Sequence, residues 1–222
     1  MKNSVSNTAR LLAAGLRALL VLTLVTGVAY PLVVTGAAQA LFPGKADGSQ
    51  VSADGRVVGS SLIGQSYNLP LKAGQETPEP DLKWFQGRPA NGLGENTLNT
   101  QYRLIVSGAT NLAAGNPELV GQVKAAQAAV IRDNSVPGSP VRREDVPADA
   151  VTSSGSGLDP HISPEYARLQ VGRVAHENGL SVVRVRELVD RHTEGRTLGF
   201  IGEPAVNVLE LNIALKQLLA KS

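Results

Sequence analysis

The sequence predicts an α+β protein: one N-terminal transmembrane helix followed by a small mixed α/β extracytoplasmic domain. Three observations carry this reading. From Ala18 to Phe42 no side chain is charged, a run of roughly 25 residues where ~20 let a helix cross the hydrocarbon layer. Lys2, Arg10 and Arg17 precede the run with no acid among them. After it come short β-branched runs and several capped amphipathic segments, the pattern of few strands and several helices. The boundaries predicted are 1–17 for a cytoplasmic tail, 18–42 for the span and 43–222 for the domain. A chain of 222 residues leaves room for one domain of ordinary size beyond such an anchor.

The anchor rests on insertion energy. About ten Leu and Val residues between Leu19 and Val34, at roughly −0.3 to −0.6 kcal/mol each, contribute several kcal/mol and outweigh the Gly and Pro of the run. Positive residues flanking an anchor stay on the cytoplasmic side, so the three upstream cations send the following domain outside. A cleaved signal peptide is the alternative, because Ala38-Gln39-Ala40 resembles a small-residue cleavage site. Signal h-regions run only ~7 to 15 residues, which favours retention. Thr23, Gly27, Pro31, Thr35 and Gln39 recur every fourth residue, a small or polar stripe suited to packing on a partner helix within lipid. Pro31 removes the amide that would bond the Gly27 carbonyl and is expected to kink the helix.

Charge excludes one class of partner. The 21 basic residues fall to 18 once the three upstream cations are set apart, against 19 acidic ones, so the domain is nearly neutral. Aromatic residues are 4%. Neither a cationic stripe nor stacking platforms remain, and no nucleic acid is expected as a partner. Zero cysteines exclude disulfides, thiolate metal sites and cysteine nucleophiles.

Within the domain, Gly55 to Tyr67 reads as one or two short strands with a turn, and Tyr102 to Val106 as another. Leu69 to Thr100 is a long loop that needs a pin. Trp84 and Phe85 in the core would supply it, an aromatic ligand or partner contact being the alternative. Asn116-Pro117-Glu118 opens a helix whose inner face is Leu119, Val123, Ala126 and Val130, broken from Asp133 onward. Ser163-Pro164-Glu165 opens a second, with Ala167, Val171 and Val174 inward and Gly179 as its stop. Ser181 opens a third, with Val182, Val185, Leu188 and Val189 inward. The last starts near Asn207, with Val208, Leu211, Leu215 and Leu218 on one face.

Candidate chemistry is concentrated in Val151 to Pro164. A serine hydrolase would use Ser156 with His161 and Asp159, but the order Ser-Gly-Ser-Gly-Leu misses the G-x-S-x-G elbow. A phosphate cradle would use the Gly-Ser-Gly amides, but no lysine follows in the P-loop position. A metal site lacks ligands, since His176-Glu177-Asn178-Gly179-Leu180 has no second histidine. An ordered loop needs none of these: Asp159 makes a side-chain turn before Pro160, and Ser163 caps the next helix. Such a loop can still carry a binding surface.

The runs VTGVAYPLVVTGAAQALFP, GSSLIGQ, WFQGRPA, SGATNLAAGNPEL, VPADAVTSSGSGLDPHISPEYARLQVGRVA and LGFIGEPAVNVLELNIAL together resemble the C subunit of the bacterial Kdp potassium-transporting ATPase (the KdpC family). The resemblance covers nearly the whole chain. It implies an inner-membrane complex with a channel-like KdpA-like subunit, a P-type ATPase KdpB-like subunit and a small KdpF-like subunit, besides membrane lipid. It implies a non-catalytic accessory chain, in keeping with the missing Asp-Lys-Thr-Gly phosphorylation motif. It also implies a role as a catalytic chaperone raising the ATP affinity of the ATPase subunit, which would make Ser153, Ser154, Gly155, Ser156, Gly157, Asp159 and Gln170 the nucleotide or partner residues to suspect. The predicted topology puts that loop across the membrane from cytosolic ATP. The expectation preferred here is therefore assembly, with the span packed on pump helices and the domain over the external potassium entrance.

Overall fold

The computed structural model describes residues 2–75, 77–95 and 105–221. They form two compact units, residues 1–50 and 51–222.

The first unit is a long helix. Helix α1 (Lys2–Leu24) passes through a π-helical turn (Val25–Ala29) into α2 (Tyr30–Leu41), and the short α3 (Pro43–Ala46) follows. Within this run Ser6–Leu41 is one helix long and apolar enough to cross a membrane, with none of its most apolar window buried by protein. The helix thus starts well before Ala18, because Ala9-Arg10-Leu11-Leu12-Ala13-Ala14 are strong helix formers. The disturbance expected from Pro31 takes the form of the π turn, where the Tyr30 amide donates to the Val25 carbonyl, five residues back. That wider register sits just where the proline ring would crowd an α-helical carbonyl. Thr26 Oγ1 meanwhile donates to the Leu22 carbonyl at 2.7 Å. The unit extends past Phe42 because Ser49 N–H donates back to Gly44 O at 2.8 Å and Gln39 Nε2 to Asp47 Oδ1 at 2.8 Å.

The second unit opens with the hairpin β1 (Gln50–Ala53) and β2 (Arg56–Ser60). Its turn is Asp54-Gly55, with φ of 51° and 75°, the left-handed pair that a tight two-residue hairpin requires. The strands therefore lie a few residues earlier than the glycine and serine pattern alone suggests. Strands β3 (Gly94–Glu95) and β4 (Ile105–Val106) pair antiparallel; residues 96–104, including the start of the strand expected from Tyr102, lie outside the described residues.

The core surrounds a three-stranded antiparallel sheet in the order β5 (His161–Ile162), β7 (Ala205–Asn207), β6 (Thr193–Glu194). Val206, central in that sheet, faces Ile162 and Thr193 and is fully buried. Helices α5 (Pro164–Asn178) and α7 (Val208–Leu219) contact β7, α6 (Val182–Arg191) contacts α5 and α7, and α4 (Pro117–Asn134) contacts α5.

Each helix starts on the residue the sequence designates. Asn116, Ser163, Ser181 and Asn207 accept a backbone amide from the first turns of α4, α5, α6 and α7, satisfying donors the helix itself cannot. Gly179 ends α5 at φ 63° with Leu180 N–H bonded to Ala175 O, the left-handed stop that glycine makes cheaply. The inner faces are as patterned, with one correction. Val182 is exposed, because the first turn of α6 overhangs the core that Val185, Leu188 and Val189 fill.

Tyr166, in the first turn of α5, is buried, and desolvation pushes its phenol up to about 12. Its proton is held by the folded chain and released by the unfolded one between about pH 10 and pH 12, so this stabilisation is complete below that window and is lost as pH rises through it. Arg173, lowered by burial to about 10, acts in the opposite direction over the same range. Both proteins of a pair differing only at Tyr166→Phe contain it, so their difference reports the phenol together with its interaction with Arg173. The variant is expected to lose less stability between about pH 9 and pH 11 than the parent, read as urea midpoints; parallel curves would refute the assignment.

Candidate functional site

Three polar side chains from α5 and α7, all distant from it in sequence, converge on the backbone of Leu82–Gln86. Asn212 of α7 accepts from Phe85 N–H and donates to Phe85 C=O, both at 2.9 Å. Gln170 of α5 does the same for Gln86, accepting at 2.7 Å and donating at 3.0 Å. Each amide takes the place of a neighbouring β-strand for one residue, satisfying both backbone groups at once. Arg173, one turn beyond Gln170 and only 1% exposed, donates to Trp84 O at 3.0 Å and to Leu82 O. Its other donors reach Gln170 Oε1 at 2.6 Å and Asn134 Oδ1 at 2.9 Å. None of these acceptors is a carboxylate.

The expected aromatic pin is thereby resolved. Phe85 is fully buried in the core, while Trp84 packs on its margin, its ring 6.1 Å from that of Tyr67. The clasp also aims the following residue with side-chain reach, Arg88. Its Nη1 lies 3.2 Å from Asp159 Oδ2, its Nε donates to Thr152 O at 3.3 Å and its Nη2 to Ser153 O at 3.5 Å. One guanidinium thus ties both ends of the glycine and serine loop.

That loop is held on every side. Ser156 O accepts from Gly108 N–H at 3.1 Å and Ser107 Oγ at 2.9 Å. Gly64 N–H donates to Leu158 O at 2.8 Å, and a side chain at Gly64 would meet Asp159 O at 2.6 Å. Gly157, at φ 67°, leaves a Cβ no more than 2.8 Å from Leu93. Asp159 Oδ1 accepts His161 N–H at 3.0 Å, the side-chain turn the sequence suggests. Ser163 Oγ and N–H both donate to Asp149, at 2.9 and 2.7 Å, fixing the cap of α5.

The chemistry available follows from these bonds. Ser156 Oγ is shared with Ser154 Oγ at 3.2 Å and Leu158 N–H at 3.1 Å. His161 Nδ1 instead faces Asp159 at 3.6 Å, so the serine–histidine contact that nucleophile activation needs is not formed among the described residues. Two amides of the Gly-Ser-Gly turn are used internally, Gly157 N–H on Ser154 O and Leu158 N–H on Ser156 Oγ. The hollow at the loop, lined by Gly64, Arg88, Gly157 and Asp159 among others, holds about 30 Å³, the share of one water molecule. A larger groove of about 750 Å³ lies elsewhere, between the Val136–Val141 turn and α5 and α6. No cluster of three His, Cys, Asp or Glu occurs among the described residues.

The structure brings Ser153, Ser154, Gly155, Ser156, Gly157 and Asp159 together as one loop. It does not bring Gln170 to them as a surface group: Gln170 is 0% exposed, its amide bonded to Gln86 and Arg173. Arg88, Asn134, Arg173 and Asn212 were not suggested by the sequence. One sign of them was there, since Gln170 and Arg173 fall on the face set by Ala167, Val171 and Val174, where a polar residue needs a buried partner. In the span, Gln39 is turned to Asp47, so the stripe at Thr23, Gly27, Pro31 and Thr35 continues without its last amide.

Comparison with known proteins covers the same ground as this frame. Residues 12–217 match the family model described as KdpC: K+-transporting ATPase, c chain. The chain is 75% identical over 220 residues to a potassium-transporting ATPase KdpC subunit of Streptomyces coelicolor, covering 99% of this chain and 98% of that one. It is 72% identical over 222 residues to that of Streptomyces avermitilis, covering all of both. Against that of Caldanaerobacter subterraneus it is 45% identical over 202 residues, covering 91% and 92%. The match takes in the apolar helix, the clasped Leu82–Arg88 segment and the Ser153–Asp159 loop alike, and the chain belongs to the KdpC family, the c chain of the K+-transporting ATPase.

Proposed function

We propose that this chain is a non-catalytic assembly subunit of an inner-membrane potassium pump. Its helix packs among the helices of the channel-like and ATPase subunits, and its C-terminal unit lies outside, over the potassium entrance. The observation that carries the reading is the bonding of the Ser153–Asp159 loop, through Arg88, Gly64, Ser107 and Gly108, and of Gln170 in the core: a surface loop anchored at several points suits protein contact better than turnover. Three cations ahead of the span support the outward orientation.

The alternative, that the chain raises the ATP affinity of the ATPase subunit, comes from the family resemblance and would use the Ser153–Gly157 loop with Gln170. Gln170 is bonded internally at both amide atoms, which leaves the loop to make any such contact without it.

Removing residues 51–222 while keeping the helix tests the proposal. Recovery of the purified complex and potassium uptake are both expected to fall, with the ATP affinity of whatever complex remains unchanged. Wild-type recovery and uptake would refute the assembly role, and a selective loss of ATP affinity would favour the nucleotide role.

A further inference from the structure

Between β6 and β7 the chain makes a ten-residue excursion, Gly195–Pro204, every residue of which is exposed among the described residues. Leu198 is 79% exposed, Phe200 72% and Ile201 50%. Three large apolar side chains in four residues on a hairpin tip form a patch that water disfavours.

The tip is built rather than loose. Thr197 N–H and Ile201 N–H each donate to the other residue's carbonyl at 2.9 Å, and Arg196 Nη2 meets Glu203 Oε2 at 2.7 Å across its base. Gly199 and Gly202 take φ of 82° and 79°. Leu198 also sits at φ 54°, a region that disfavours a branched side chain. The other non-glycine residues at positive φ among those described are Ser49, Asp54 and Asn111, small polar types for which such a backbone is easier. A large apolar residue held there, with its side chain in solvent, indicates a contact made outside this chain.

We propose that this tongue is a docking element whose occupant is an apolar hollow on another subunit of the potassium pump. Charge selects this occupant over lipid. Segments that enter a bilayer surface set Trp, Phe or Leu beside Lys or Arg, whereas here the one cation, Arg196, is paired with Glu203, and Glu194 beside it leaves a net negative charge. Anionic headgroups would repel it, and a protein hollow with a cationic rim would complement it. The proposal rests on the assembly reading above.

The test places p-benzoylphenylalanine at Phe200, and separately at the exposed Val183 on α6, in the full-length chain co-expressed with the other subunits. Irradiation of intact membranes is expected to give an adduct from position 200, identified by mass spectrometry as another pump subunit, and none from position 183. Lipid adducts alone, a homodimer of this chain, or no adduct at position 200 would overturn the proposal. Phe200→Glu, at a position too exposed to serve the core, is expected to weaken retention of this chain in the complex roughly tenfold. Wild-type retention by Phe200→Glu, alongside loss of the complex on removing residues 51–222, would reject the tongue and leave the assembly reading intact. No effect of the larger removal would reject the assembly reading itself.

Discussion

Arg173→Met is expected to lower the unfolding free energy by roughly 3 kcal/mol or more, a large part of the ~5–15 kcal/mol that holds an ordinary domain together. Two effects compete at this position. Burying a guanidinium with no carboxylate among its direct partners is costly, and the cost is visible in its proton affinity, which burial lowers to about 10. Methionine would relieve that cost, and apolar replacements of buried charge can stabilise a protein for this reason. Against it stand four acceptors, the carbonyls of Leu82 and Trp84 and the side-chain oxygens of Asn134 and Gln170. The Gln170 oxygen keeps Gln86 N–H and the Trp84 carbonyl keeps Gln86 Nε2, but Leu82 O and Asn134 Oδ1 would be left in the core without a donor, at about 1–3 kcal/mol apiece. Those two losses, with the weakening of the other two acceptors, exceed the relief. Urea unfolding of the full-length chain in detergent measures the outcome, and Trp84, the single tryptophan, reports from the site itself. A midpoint at or above the parent's would show that desolvation dominates.

Gln170→Leu is expected to cost about 2–4 kcal/mol by the same assay, because the substitution preserves bulk and removes both bonds to the Gln86 backbone together with an acceptor of Arg173. The consequence should spread. Gln86 lies two residues before Arg88, whose guanidinium ties Thr152, Ser153 and Asp159, so amide exchange in residues 152–159 should quicken in the variant. Unchanged stability and exchange would mean the glutamine is dispensable to the fold and would restore it as a ligand candidate. Arg88→Ala offers the comparison, since it should loosen the same loop while leaving Gln86 paired.

The legible parts of this protein are those whose cause lies within a few residues. Asn116, Ser163, Ser181 and Asn207 cap helices because a side-chain oxygen reaches an amide two or three positions on, and Gly179 stops one because its own backbone permits it. The Asp54-Gly55 hairpin carries an equally local signal in its dipeptide, although the glycine and serine pattern placed the strands from Gly55 onward. Gln170 shows where such reading ends. In the sequence it is a polar residue near a glycine and serine loop, free to touch a ligand. In the fold it faces inward, onto a backbone 84 positions away, as Asn212 faces one 127 positions away.

By itself, then, the sequence determined the apolar helix, the starts of α4 to α7, the stop of α5 at Gly179, and which residues of those helices are apolar on one side. These follow from hydropathy, period and local hydrogen bonding, all of which act along the chain. Tertiary structure alone decided that Leu82–Arg88 would be gripped by Asn212, Gln170 and Arg173, that Arg88 would lock the Ser153–Asp159 loop, and that Leu198, Phe200 and Ile201 would be left facing water. The first two depend on which distant backbone groups need a partner once the chain is compact, a demand that arises only when water has been excluded from between them; the third depends on where the other elements pack, which leaves the turn between β6 and β7 outside the core.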